Sequence, residues 1–164
     1  MEIEKKFLVE KLPKGLDKYE KWEIEQAYLC GNPTVRIRKK NDEYILTYKS
    51  KKGMEKLIRE AQARVCTEVE LPLTKTAYEH LLEKHDDNIV KKTRYIIPLD
   101  EKHKIELDVF AGKLKGLVMA EVEFESPEDA KAFKAPKWFG EDVTPDDRYS
   151  NRRLSKLEKY DLKD

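Results

Sequence analysis

Cysteine is scarce in this chain, long apolar runs are missing, and neither sign of charge prevails; each shortage removes a class of protein. Only Cys30 and Cys66 occur among 164 residues, with no CxxC pair, so neither a disulfide framework nor a cysteine zinc site is indicated. No stretch is apolar enough to span a bilayer. A charged segment follows Met1 where a signal peptide would carry its apolar region, so a cytoplasmic location is the expectation. With 34 basic and 33 acidic residues the net charge is +1, which gives no overall field toward nucleic acid or an anionic membrane. Repeats, low-complexity tracts and linkers are absent as well, so residues 1–164 are expected to form one domain able to bury roughly 70% of its unfolded surface.

What the chain does have is charge alternating with apolar side chains. Charged residues make up 41% and hydrophobic ones 39%, and 8 Tyr, 5 Phe and 2 Trp supply a core. In EIEKKFLV, Glu2, Glu4 and Lys6 share one face of a strand while Ile3, Phe7 and Val9 take the other. Residues 11–22 read as a loop or short helix, broken by Pro13 and Gly15, and 23–29 as a second strand that stops at Gly31-Asn32-Pro33. TVRIRKK and EYILTYKS form a hairpin about Asn41-Asp42, with Ile45, Thr47 and Lys49 sharing a face. Residues 57–67 fit helix or strand equally, and TEVELPL returns to alternation.

A helix is expected from Thr76, with Glu79 completing a capping box and Ala77, Tyr78, Leu81, Leu82 and His85 forming its apolar stripe. Three further strands follow in VKKTRYIIPL, HKIELDVF and MAEVEFE. Ser126 as N-cap and Pro127 at the first helical position start another helix, and SNRRLSKLEKY reads as a last one presenting Leu154, Leu157 and Tyr160.

A sheet with one face in water would also alternate. Here, however, the charges are sorted by sign. Glu2/Glu4, Glu68/Glu70, Glu106/Asp108 and Glu121/Glu123 are acidic pairs, while Arg36/Arg38 and Lys92/Arg94 are basic. If the sheet closes on itself, these residues with Lys6 and Lys49 line a lumen holding eight carboxylates and six cations. Clustered carboxylates suit a hard divalent cation such as Mg²⁺ or Mn²⁺, and Arg and Lys suit phosphate, so a metal-bound polyanion accounts for both signs.

The ExExK opening (Glu2, Glu4, Lys6), followed in order by VRIR, LTYK, TEVEL, KKTRY, ELDVF, AEVEF and WFGEDVTPDDRYSN, resembles the CYTH, or triphosphate tunnel metalloenzyme, family over nearly the whole chain. The resemblance implies an α+β fold: a closed eight-stranded antiparallel barrel, forming a tunnel, with helices packed outside. It implies that Lys6, Arg36, Arg38, Lys49, Lys92 and Arg94 hold phosphate oxygens, and that Glu2, Glu4, Asp108, Glu121 and Glu123 ligate Mg²⁺ or Mn²⁺, two ions in turnover. Glu68, Glu70 and Glu106 would be additional tunnel acids. Glu2, Glu4 and Arg148 are the catalytic candidates, Arg148 acting on phosphate or leaving group near the mouth.

The implied activity is hydrolysis of inorganic tripolyphosphate to pyrophosphate and phosphate by a monomer or homodimer. The alternatives on the same scaffold are a class IV adenylate cyclase and a nucleoside or thiamine triphosphatase. A non-catalytic polyphosphate-binding module is disfavoured, because a passive polyanion binder gains nothing from so many carboxylates. His80, His85 and His103 are expected at the surface or against helices, Trp138 and Phe139 as a packing anchor, and Tyr28, Tyr44, Tyr48 and Tyr95 in the core or barrel wall.

Overall fold

A computed structural model describes residues 1–162. Eight strands, β1 (Glu2–Leu8), β2 (Glu20–Cys30), β3 (Thr34–Lys40), β4 (Glu43–Ser50), β5 (Arg64–Leu73), β6 (Asp86–Pro98), β7 (Lys104–Phe110) and β8 (Val118–Glu123), close into a barrel. The order around it is β1-β5-β4-β3-β2-β6-β7-β8, and every neighbouring pair is antiparallel. The expected closed eight-stranded barrel is therefore present. Among the described residues four short α-helices accompany it: α1 (Glu55–Ala61), α2 (Lys75–Leu82), α3 (Pro127–Ala132) and α4 (Asn151–Leu154). None of the helices among the described residues is long and apolar enough to cross a membrane.

The barrel wears its apolar residues mainly on the outside. Ile3, Phe7, Val65, Ile105, Leu107 and Val122 point away from the lumen and are buried with Ala61 of α1 and Ala130 of α3. Phe139 and Trp138 join the same cluster, Phe7 and Phe139 lying 4.9 Å apart between ring centroids. Under α2, Ala27 and Ile37 pack on Tyr78. A third cluster is different, because Val90, Phe110 and Met119 occupy the lumen parity of their strands. They meet Tyr149 and Leu154 from the C-terminal segment and fill that part of the barrel end with apolar side chains.

Several local expectations shift by a few residues. The α2 cap is Thr74, whose hydroxyl accepts from the Ala77 amide; the box from Thr76 to Glu79 does not form, because Thr76 already lies inside the helix. Segment 57–67 divides: Leu57, Ile58 and Ala61 place one helical face on the core, Gln62 closes α1 in a left-handed conformation with φ 51°, and β5 starts at Arg64. In the tail only Asn151–Leu154 is helical; Leu157 and Tyr160 still pack on the apolar end but without helical backbone. β2 begins at Glu20 and β6 at Asp86, earlier than the alternation indicated, since a thirteen-residue β6 pairs with β2 as far as Tyr28.

The segment after α3 repairs a gap in the wall. β1 pairs with β5 only through Glu2, Ile3 and Glu4, leaving the same edge of Lys6–Leu8 free. Residues 140–144 take that edge: Gly140 N donates to Leu8 O at 2.6 Å, Leu8 N to Glu141 O at 2.8 Å and Val143 N to Lys6 O at 2.9 Å. The fit requires glycine, because a Cβ at position 140 would lie 2.7 Å from Leu8 O.

Candidate active site

The lumen encloses a cavity of about 780 Å³. Glu2, Glu4, Lys6, Arg36, Arg38, Lys49, Glu68, Glu70, Arg94, Glu106, Glu121 and Glu123 all line it, which brings together twelve of the residues the sequence singled out. Lys92 and Asp108 are fully buried beneath its surface, paired at 2.7 Å. Arg148 stands apart, exposed and bound through Nη2 to Asp146 at 2.7 Å.

Glu2, Glu4 and Glu123 form one pole. Each offers a carboxylate oxygen within 4.8 Å of the others, although their strands, β1 and β8, are held by backbone pairing that brings Glu4 directly opposite Glu123. Two lysines reach this pole: Lys49 Nζ lies 2.9 Å from Glu2 and 3.2 Å from Glu68, and Lys6 Nζ lies 3.9 Å from Glu4. Burial opposes ionisation of Glu2, but the Lys49 charge and hydrogen bond hold it down to about 2. Burial, then the Glu2 and Glu121 carboxylates, push Glu4 up to about 7, and partial burial, then Glu106 and Glu2, push Glu123 up to about 8. This is an oxygen-only donor set, three carboxylates bordered by two lysines, and it fits a hard divalent cation. Cys66 adjoins it with Sγ 3.5 Å from Glu2, and burial followed by that carboxylate raises the thiol to about 12, so it stays neutral and inert.

Cations are held in two different ways. On β6, Arg94 Nε and Nη2 donate to the two oxygens of Asp108 at 2.7 and 2.9 Å, Nη1 pairs with Glu106, and Glu121 lies 3.4 Å away. Burial works against this guanidinium, yet the acids raise it well above its ordinary value. On β3, Arg36 and Arg38 have no carboxylate within 4 Å among the described residues. Arg36 Nη2 donates to the Thr47 hydroxyl at 3.1 Å while its buried Nε has no hydrogen-bond partner. Arg38 donates twice to the Gln26 carboxamide. Burial and then the charge of Arg36 pull Arg38 down to about 9, so it remains a cation at neutral pH.

Further residues reach the lumen that sequence reasoning left out. Trp22 and Tyr28 line the cavity from β2, and Gln26 shares their inward parity opposite Arg38 but is fully buried behind the cavity surface, a signal present in the alternation but hidden by their lack of charge. Arg64 enters from β5 and bonds the carbonyls of Thr144 at 2.9 Å and Asp146 at 2.8 Å. Asn151 and Arg152 arrive from α4, and nothing periodic announces them.

A closed barrel whose lumen separates a carboxylate pole from a guanidinium pole defines the class of charged tunnel barrels suited to metal-bound polyanions. A relative from Nitrosomonas europaea, an inorganic triphosphatase, is 39% identical over 158 residues that cover 94% of this chain and 96% of its own. Another inorganic triphosphatase, from Acetivibrio thermocellus, is 35% identical over 157 residues, covering 94% and 93% respectively. The crystal structure of the inorganic triphosphatase NE1496 superposes with a TM-score of 0.68 at 36% identity, covering 98% of this chain and 97% of that one. No family model matches the chain. On these likenesses the chain belongs to the CYTH, or triphosphate tunnel metalloenzyme, family, whose members are generally metal-dependent.

Proposed function

We propose that this protein hydrolyses inorganic tripolyphosphate to pyrophosphate and phosphate inside the barrel lumen, using Mg²⁺ or Mn²⁺. The observation that carries the reading is the separation of poles: the convergent carboxylates of Glu2, Glu4 and Glu123 on one side, Arg36 and Arg38 with only neutral partners on another. Relatives with high coverage that are inorganic triphosphatases support it.

In this reading Glu2, Glu4 and Glu123 hold the metal, which when bound supplies charge neutralisation on phosphate oxygens and acidifies water. Arg36 and Arg38 take terminal phosphate oxygens, and the buried Arg36 Nε, which has no hydrogen-bond partner, leaves that guanidinium with unused donor capacity. Lys6, 3.4 Å from Glu121, and Lys49 border the acids and bring positive charge to the middle of the chain of phosphates. Positioning plus neutralisation of developing charge is what phosphoryl transfer to water asks of a protein. Lys92 and Asp108 serve as the buried floor rather than as contacts to phosphate.

The test is hydrolysis by the purified protein of tripolyphosphate, ATP and thiamine triphosphate, each with Mg²⁺ or Mn²⁺, following phosphate and cyclic AMP. Tripolyphosphate is expected to be preferred with phosphate as product; preference for ATP with a cyclic product would overturn the reading in favour of a cyclase. Glu4→Gln should cut turnover by about 10²-fold, in line with loss of one electrostatic group at a transition state, and should weaken Mn²⁺ binding measured by calorimetry. Unchanged binding and turnover would remove Glu4 from the metal role.

A further inference from the structure

Gln26 is fully buried at the inward parity of β2, between Arg38 on β3 and Val90 on β6. It sits directly across the β2–β3 ladder from Arg38, and its Oε1 accepts from Arg38 Nε at 2.9 Å and Nη2 at 2.6 Å. The orientation of the carboxamide is fixed by chemistry: a guanidinium only donates, so oxygen must face it, and Nε2 is then turned to the Tyr28 hydroxyl oxygen at 3.4 Å. Two of Arg38's five N–H groups are engaged, and three remain for a ligand.

The same holding task is done differently one wall away. Asp108 grips Arg94 through the equivalent pair of nitrogens, Nε and Nη2, and brings a negative charge with it. A glutamate at position 26 could make the same two bonds to Arg38 and would cancel its charge. A carboxamide gives the geometry without the charge.

We propose that Gln26 is a positioning residue: a neutral clamp that fixes the Arg38 guanidinium toward the lumen while leaving its positive charge uncompensated for a polyphosphate. This inference rests on the tripolyphosphate reading above. Thr47 plays the parallel part for Arg36, holding it with a hydroxyl at 3.1 Å. The acid-free wall is thus built from neutral partners on β2 and β4, the two strands that flank β3.

The experiment compares wild type with Gln26→Glu and Gln26→Met in the full chain. It measures kcat and KM for tripolyphosphate with Mn²⁺, metal-free binding of tripolyphosphate by calorimetry, and thermal unfolding. Gln26→Glu should keep its melting temperature, because it gains an ion pair, yet raise KM and weaken metal-free binding by about tenfold or more, with a smaller change in kcat, as expected for a lost uniform binding interaction. Gln26→Met, which frees Arg38 but leaves its charge, should lose less binding than Gln26→Glu. Wild-type KM and binding in Gln26→Glu, or a greater loss in Gln26→Met than in Gln26→Glu, would overturn the proposal. Should glutamate prevent folding, Gln26→Met decides alone: binding at full strength with Arg38 unheld also overturns it. Failure of wild type to bind or cleave tripolyphosphate would instead strike the functional reading, so the two are told apart.

Discussion

The β6–β7 wall and the β3 wall carry the same kind of residue and use it for opposite ends. Lys92 and Arg94 are surrounded by Asp108, Glu106 and Glu121, so their charge is consumed inside the protein. Arg36 and Arg38 are equally buried, yet only Thr47 and Gln26 hold them. Buried charge without a counter-charge is expensive to fold. A chain that keeps it beside a cavity, while compensating its neighbours, reserves that charge for something that enters. In the proposed function, the first wall serves structure and the second serves binding.

The largest effect should come from breaking the compensated wall. Asp108→Asn leaves Lys92 and Arg94 facing a neutral group, and about 3–5 kcal/mol of stability should be lost, read by urea unfolding. A loss below about 1 kcal/mol would show that this wall is no more dependent on pairing than the other. The same operation on the β3 wall should invert the outcome: Arg36→Met removes an uncompensated cation, so stability should hold or rise while kcat/KM for tripolyphosphate falls about 10²-fold. Parallel loss of stability in Arg36→Met would erase the distinction.

The smallest effect lies outside the lumen, in a partly buried surface cluster that calibrates what pairing contributes away from the cavity. His103 bridges Asp100 and Asp129, both at 2.9 Å, and joins the β6–β7 turn to α3. Its hydrogen bond to Asp100, and then that to Asp129, raise its pKa against the pull of desolvation. A raised histidine binds its proton more tightly folded than unfolded, so its contribution is complete below the ordinary value of about 6.5 and is lost as pH rises through the folded pKa. The melting temperature should decline slightly across that window, and His103→Gln should flatten the decline; an unchanged slope would exclude the cluster as its source.

These contrasts explain what could be read from the residues in order and what could not. A two-residue period is a local property, so Glu2/Glu4, Arg36/Arg38 and Glu121/Glu123 revealed strands, inward faces and the signs of the poles. The family likeness supplied their closure into a barrel. Which acid meets which base is set by register between strands far apart in the chain: Arg94 opposite Asp108, Gln26 opposite Arg38. Gln26 shares the alternation but carries no charge, so it did not stand out. Arg148 looked like a mouth residue by its place in the closing segment, but a turn ties it to Asp146 while α4 delivers Arg152 to the cavity. The cap at Thr74 in place of Thr76 is a two-residue competition that propensity alone does not decide.

The seam along β1 also bears on how the molecule is made. The first strand hydrogen-bonds to the eighth along one edge and, along the other, to β5 and then to residues 140–144, so Lys6 and Thr144 meet across 138 positions. One edge cannot be completed until residues 118–124 have left the ribosome, and the other until residues 140–144 have. Assembly dominated by such distant pairings belongs among slow folders, on a scale of milliseconds to seconds. Until the seam shuts, the nascent barrel is an open curl with its acids and bases still bathed in water, and the electrostatic separation on which the lumen depends begins only with the last stitch.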